Sequence, residues 1–359
     1  MTKSDQALSL IGNVALAGAA LLVVVRPKLV SQAVRSPMLP KAQAFTLATA
    51  RRLVPRPPPS PRLRQTRDLA RLLASYAPAG RYSKAKALTR SAGRRLNGSA
   101  AMLALSVLAD SGVEHYRGSF QNRAMYTPLA AAALTLGASL FGTADARAQK
   151  HPVRDAIYAA AAATGFAGFA FHTYNILKRP GGLSWLNLFY AAPIGAPMAL
   201  ALAGLLGRGA ESVRDTGIGR RARLLGFPAG RILAAVGAAG LAGTVGEAGL
   251  LHFRGAYHDP AMMLPVTVPP VASVLLGAAA LRPDRRINRL ARWWLRLTAL
   301  LGLAGVGFHA YGVSRNMGGW RNWSQNVLNG PPLPAPPSFT GLALAGLVAL
   351  SLMEEESDD

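Results

Sequence analysis

Residues 109–128 read ADSGVEHYRGSFQNRAMYTP, and residues 246–265 read GEAGLLHFRGAYHDPAMMLP. They align without a gap, and the motif histidines, His115 and His252, lie 137 positions apart (115 to 252). A second pair of stretches, GFAGFAFHTY at 165–174 and GLAGVGFHAY at 302–311, has the same spacing of 137 (172 to 309). Two separated blocks that share one offset mark an internal duplication. The stretches sit at the ends of long apolar blocks rich in Ala, Leu and Gly: 98–113, 127–143, 156–172 and 188–206 in the first copy, and 230–251, 262–281, 293–311 and 338–353 in the second. Most are close to the ~20 residues that cross a bilayer as a helix. Glycine within them suits close helix–helix approach in lipid. Pro128, Pro193, Pro197, Pro265, Pro269 and Pro270 are expected near helix ends or at kinks.

The expected fold is therefore all-α: a polytopic membrane protein of two tandem, parallel-repeat four-helix bundles plus one N-terminal helix, about nine membrane helices in all. The N-terminal apolar run, 7–25, is followed by Arg26 and Lys28 with no small-residue cleavage site, and reads as a retained helix. The expected divisions are 1–97 (N-terminal helix and basic segment), 98–206 (first repeat), 207–229 (basic linker), 230–353 (second repeat) and 354–359 (acidic tail). Within 26–97, the proline-rich stretch 55–61 cannot continue a helix. The basic stretches Arg64–Tyr76 and Lys84–Leu96 read as a segment on anionic headgroups. Membrane subunits of the polysulfide-reductase type are similar in their two-bundle plan. None of their motifs occurs here, so the likeness is one of plan alone.

The formal charge is +24, from 40 Lys and Arg against 16 Asp and Glu. In a membrane chain such an excess belongs to cytoplasmic loops. The segments 26–97, 144–154, 207–229 and 282–292 are all basic and alternate with the apolar blocks, which places them on one side. Loops 116–126, 173–187, 253–261 and 312–337, holding Trp185, Trp320 and Trp323, then face outward, and a cytoplasmic (inner) membrane is the expected location. No aromatic-interleaved basic motif points to nucleic acid. The chain has no cysteine, which excludes disulfides, thiolate metal sites and cysteine nucleophiles. There is also no Walker motif, dinucleotide fingerprint or nucleophile elbow.

Four histidines are matched by the duplication, His115 with His252 and His172 with His309, and all four are expected near the outer level. Two imidazoles on opposed helices are what a b-type haem iron needs for axial ligation, and helix bundles build cofactor sites from facing side chains. Arg117 and Arg254, two positions on, suit haem propionates or another carboxylate. Gly165, Gly168, Gly302 and Gly305 precede the second histidines and would leave room for a flat ring or serve helix packing. The competing reading of each histidine is an interfacial anchor. His151 reads as a solvated loop residue, and the counterpart of His258 is Gln121.

Asp110 and Glu247 are the second matched feature, five residues before their histidines and on a different helix face. A carboxyl in an apolar helix is expensive unless paired or protonated, which makes both candidates for proton or cation handling. The leading expectation is a membrane electron-transfer subunit, such as the membrane part of an oxidoreductase complex. It would bind haem b and quinone and meet an extracytoplasmic redox partner. The alternatives are a transporter or small-ligand-binding protein with a polar cavity between the bundles, and a membrane assembly or scaffold protein.

Overall fold

A computed structural model describes residues 79–358 except 192 and 217–220; the apolar run 7–25, the proline-rich stretch 55–61 and the basic stretch 64–76 lie outside the described residues. The described chain is helical apart from one small hairpin. Its elements are α1 (Ala79–Arg117), α2 (Thr127–Ala144), α3 (Pro152–Leu177), α4 (Trp185–Tyr190), α5 (Gly195–Arg214), the hairpin β1 (Arg223–Leu224) and β2 (Phe227–Pro228), α6 (Ala229–Arg254), α7 (Leu264–Leu281), α8 (Arg285–Arg315), α9 (Trp323–Asn329) and α10 (Pro337–Asp358). Among the described residues, six helical spans are long and apolar enough to cross a membrane. They fall in α1, α2, α6, α7, α8 and α10, the spans at α2 and α7 beginning at Arg123 and Pro260. This is a helical membrane protein of the multi-pass kind.

The helices pack in two rings. In the first half α1 touches α2, α2 touches α3, α3 touches α5, and α5 returns to α1; in the second half α6, α7, α8 and α10 make the same circuit. The first and third helices of each ring are therefore diagonal. The halves meet where α10 packs on α1 and α5 on α6, and the main apolar core runs through this junction (Leu96, Leu103, Leu206, Leu241, Leu342, Leu350). Short connections force antiparallel neighbours, so α1, α3, α6 and α8 all end at one face of the bundle, here termed the histidine end.

Local signals set most boundaries. Pro128 and Pro265 occupy the first turns of α2 and α7, where a missing N–H costs nothing. Asp284 caps α8 by accepting from the N–H groups of Arg286 and Ile287 at 2.8 and 3.1 Å. Several sequence boundaries need correction. The division at 97/98 falls inside α1, a 39-residue helix in which Lys84–Leu96 is continuous with the apolar stretch and Ala92 and Leu96 are buried. This part of 26–97 is packed helix, not a surface segment. The block 188–206 is two helices, α4 and α5, broken around Pro193. Residues 207–214 belong to α5, and α8 starts at Arg285, inside the expected loop 282–292. In α5 the continuing residues Glu211 and Arg214 are buried against protein, whereas Arg285, Arg286 and Arg289 continue α8 on its exposed side.

Candidate functional site

At the histidine end, both HxRG stretches fold alike. After His115, Ser119 and Phe120 adopt positive φ (54° and 48°); after His252, Ala256 and Tyr257 do the same (57° and 46°). Left-handed non-glycine residues cost on the order of 1–3 kcal/mol each and persist only where the surroundings hold them. The holding contacts match. The Phe120 and Tyr257 N–H groups donate to the His115 and His252 carbonyls, each at 3.1 Å. Asn122 and Asp259 accept from the N–H of Ala124 and Ala261, each at 2.9 Å. Each reversal carries the chain back over the histidine, so that Nδ1 of His115 bonds the Met125 carbonyl at 2.7 Å and Nδ1 of His252 bonds the Met262 carbonyl at 2.9 Å.

His172 and His309, on the diagonal helices, bind main chain in the same way. Nδ1 of His172 meets the Pro193 carbonyl, and Nδ1 of His309 meets the Pro332 carbonyl at 2.7 Å. A carbonyl only accepts, so all four rings carry their proton on Nδ1. None of the four Nε2 atoms makes a hydrogen bond among the described residues. This is the arrangement that orients metal-ligating imidazoles. The His252 and His309 rings lie edge to face with centroids 6.4 Å apart. Among the described residues no group of three or more His, Asp or Glu is placed to hold a metal ion.

The centroid separation of His252 and His309 is near that of two imidazoles sharing one metal ion. Two metal–nitrogen bonds of about 2 Å, with each ring centre about 1 Å behind its nitrogen, put ring centres about 6 Å apart. The glycines do not supply the slot for a flat ring. A Cβ at Gly165 would strike the main chain of Pro197 and Ala201, and one at Gly302 that of Pro336 and Thr340; Gly168 and Gly305 face the same prolines. Their role is close helix packing of α3 on α5 and of α8 on α10.

The arginines have other partners. Arg117 pairs with Glu114 at 2.8 Å on the exposed surface of α1. Arg254 reaches the other half, donating to the Phe189 carbonyl at 3.2 Å with its guanidinium 4.8 Å from the Tyr190 ring centre. Glu247 reaches across to the first half, within electrostatic range of Asp110. The Glu247 carboxyl also accepts from the N–H of Gly195, the first residue of α5, and a Cβ on Gly195 would run into it. The corresponding residue in the second half is Pro334, two positions further because its loop is longer, and it has no N–H to give.

Sequence reading missed a buried ionic network at the opposite end of the first half. Arg154 grips Glu211 with two bonds, at 3.0 and 2.9 Å, and Asp145 with a third at 2.8 Å. Arg214 ties the carbonyls of Gly142, Asp145 and Arg147 at 2.7–2.8 Å. The Tyr158 hydroxyl donates to Asn97, which donates to Glu211 at 3.4 Å. Glu211 and Arg214 are 0% exposed and Arg154 2%. Burial pushes the Asp145 carboxyl up, but hydrogen bonds from the Arg147 N–H and from the Arg154 and Arg147 side chains outweigh it. They hold the group well below the usual carboxylate range. His151 is not a solvated loop residue: it caps α3, and its N–H donates to Glu211 at 2.8 Å. His258 bonds only the nearby Gly255 carbonyl at 3.0 Å. The signal available beforehand was the acid–base spacing of Glu211 and Arg214 in the stretch GAESVR at 209–214, whose other residues are small.

The chain matches no protein family, no curated protein and no solved structure in the comparisons made.

Proposed function

We propose that this is a membrane electron-transfer protein made of two parallel copies of one four-helix unit, each copy ligating a haem iron through its histidine pair: His115 with His172, and His252 with His309. The observation that carries the reading is the common state of the four imidazoles. Each has Nδ1 held by a main-chain carbonyl and Nε2 free, and His252 and His309 stand at a separation that a bridging metal would occupy. A merely anchoring histidine needs one bond; it does not need the same tautomer at four matched places. Bound there, haem would supply one-electron exchange near one membrane face. The protein's part is to orient the rings and raise their basicity through the carbonyl bonds.

The basic segments orient the chain with the histidine end outside an inner (cytoplasmic) membrane, where quinone in the bilayer and an extracytoplasmic redox partner would exchange electrons with it. The deciding test is the visible spectrum of protein expressed with ample haem, oxidised and reduced. Low-spin b-type bands are expected, and a folded but colourless protein overturns the reading.

The reach of the Glu247 carboxyl across to Gly195 of the first half favours a second reading, a transporter whose cation binds between the bundles. Cation-dependent flux into vesicles holding the colourless protein would establish it in place of the first.

A further inference from the structure

Equivalent places in the two halves differ in one respect that points to a ligand. On one side, the end of α6 meets α4, and aromatic side chains fill the junction. Phe253 stacks on Phe189 with ring centres 5.8 Å apart, and Arg254 lies over Tyr190. On the other side, the end of α1 approaches α9, where Phe189 and Tyr190 are replaced by Leu328 and Asn329. The smaller residues leave an open pocket of about 590 Å³, walled by Tyr116, Arg117, Phe120 and Tyr126 from the first half and by Leu328 and Asn329 from the second. That volume is within the usual range for small-molecule sites.

The lining is specific in chemistry. Phe120 and Tyr126 form a flat platform, stacked at 4.4 Å with only 6° between their planes. The counterpart of Phe120, Tyr257, instead turns its hydroxyl to the Gly249 carbonyl at 3.1 Å. Phe120 has no hydroxyl to do this. Around the platform stand donors: the Arg117 guanidinium, the Tyr116 hydroxyl and the Asn329 amide, of which one N–H goes to the Gln325 carbonyl at 3.1 Å. Phe120 also touches the His115 ring, edge to face, at 6.3 Å.

We infer that this pocket binds the headgroup of a quinone. The flat ring lies against the Phe120–Tyr126 pair, and its carbonyl oxygens accept from Arg117, Tyr116 and Asn329. The choice of a quinone over other flat, carbonyl-bearing molecules rests on the electron-transfer reading; the pocket itself does not. The asymmetry makes it a single site per chain, next to His115.

The test is isothermal titration of the full-length protein in nanodiscs with decylubiquinone. One saturable site per chain is expected. The double substitution Leu328→Phe, Asn329→Tyr transplants the plug of the other half and should abolish saturable binding. The converse, Phe189→Leu, Tyr190→Asn, should raise the stoichiometry to two. Arg117→Ala, which leaves the plug alone, should weaken binding by at least tenfold. Non-saturable partitioning in the wild type, or unchanged binding in the plugged variant and in Arg117→Ala, overturns the inference. The visible spectrum of the same samples separates the two proposals. Saturable binding lost on plugging of a colourless protein upholds the pocket and removes the electron-transfer reading. A haem spectrum without saturable binding does the reverse.

Discussion

The imidazoles of His252 and His309 face each other edge to face at 6.4 Å, each with Nδ1 turned back to the main chain, one to Met262 and the other to Pro332. The two residues are separated by an entire helical hairpin in sequence, and they sit on helices that are diagonal in the ring. Their proximity is set by how far each helix extends before its chain reversal.

The first prediction concerns these ligands. His252→Ala with His309→Ala should remove one haem and leave the spectrum of the other, and His115→Ala with His172→Ala should do the converse. A full spectrum in a His115→Ala, His252→Ala double variant excludes the ligand assignment. Arg117→Ala and Arg254→Ala should leave the bands in place, since Arg117 is paired with Glu114 and Arg254 is held by α4.

The buried network offers a sharper contrast. Its members Asn97, Arg154, Tyr158, Glu211 and Arg214 correspond in the second half to Ala234, Ala291, Leu295, Leu350 and Met353, all buried in apolar packing. Glu211→Ala alone leaves buried Arg214 with carbonyl partners but no carboxylate, and Arg154 with Asp145 alone, and should cost roughly 3–5 kcal/mol. The fivefold exchange to Ala, Ala, Leu, Leu and Met should cost far less, because no charge is left unpaired. Thermal unfolding in detergent measures both, and a fivefold variant less stable than Glu211→Ala would refute the account.

Asp145 makes the same network sensitive to acid. Its folded-state affinity for a proton is depressed, so its contribution is fully present above the unfolded carboxylate range, near pH 4, and is lost as pH falls through the lower folded value. Asp145→Asn should therefore lower stability most between pH 6 and 8, where the contribution is fully present, and flatten the pH dependence of unfolding on the acid side. A wild-type slope in the variant would show that other carboxyls carry it.

Asp110 and Glu247 bear on turnover. Asp110→Asn and Glu247→Gln should leave folding and any haem spectrum intact, since Gln still accepts from the Gly195 N–H, yet impair quinone reactivity or transport. Gly195→Ala should destabilise by about 1–3 kcal/mol through overpacking against Glu247. Adding Glu247→Ala should recover part of that loss, a coupling read from a double-mutant cycle. Additive losses would place the Gly195 effect elsewhere.

Topology follows from charge. Reporter fusions at Arg147, Arg220 and Arg286 should report the cytoplasm, and those near Gln121, Tyr257 and Trp320 the opposite side. Opposite reports from 144–154 and 282–292 would break the parallel-copy proposal.

The sequence by itself determined the helical, membrane-spanning class, because apolar runs of bilayer length leave a backbone few other ways to satisfy its hydrogen bonds. It also determined the pairing of His115 with His252 and of His172 with His309, since a shared offset is a property of the string. It did not reveal where helices end when polar residues continue them, as at Glu211 and Arg214, because a buried charge with partners looks the same in sequence as a solvated one. Nor did it show that Gly165 and Gly302 are covered by facing main chain, or that Glu247 reaches Gly195 across the halves. Those facts depend on which helices become neighbours, and that is decided by side-chain packing between segments far apart in the chain. The pocket beside Tyr116 and Arg117 is of this kind: it exists because Leu328 and Asn329 are smaller than Phe189 and Tyr190 at a junction that only the tertiary fold brings together.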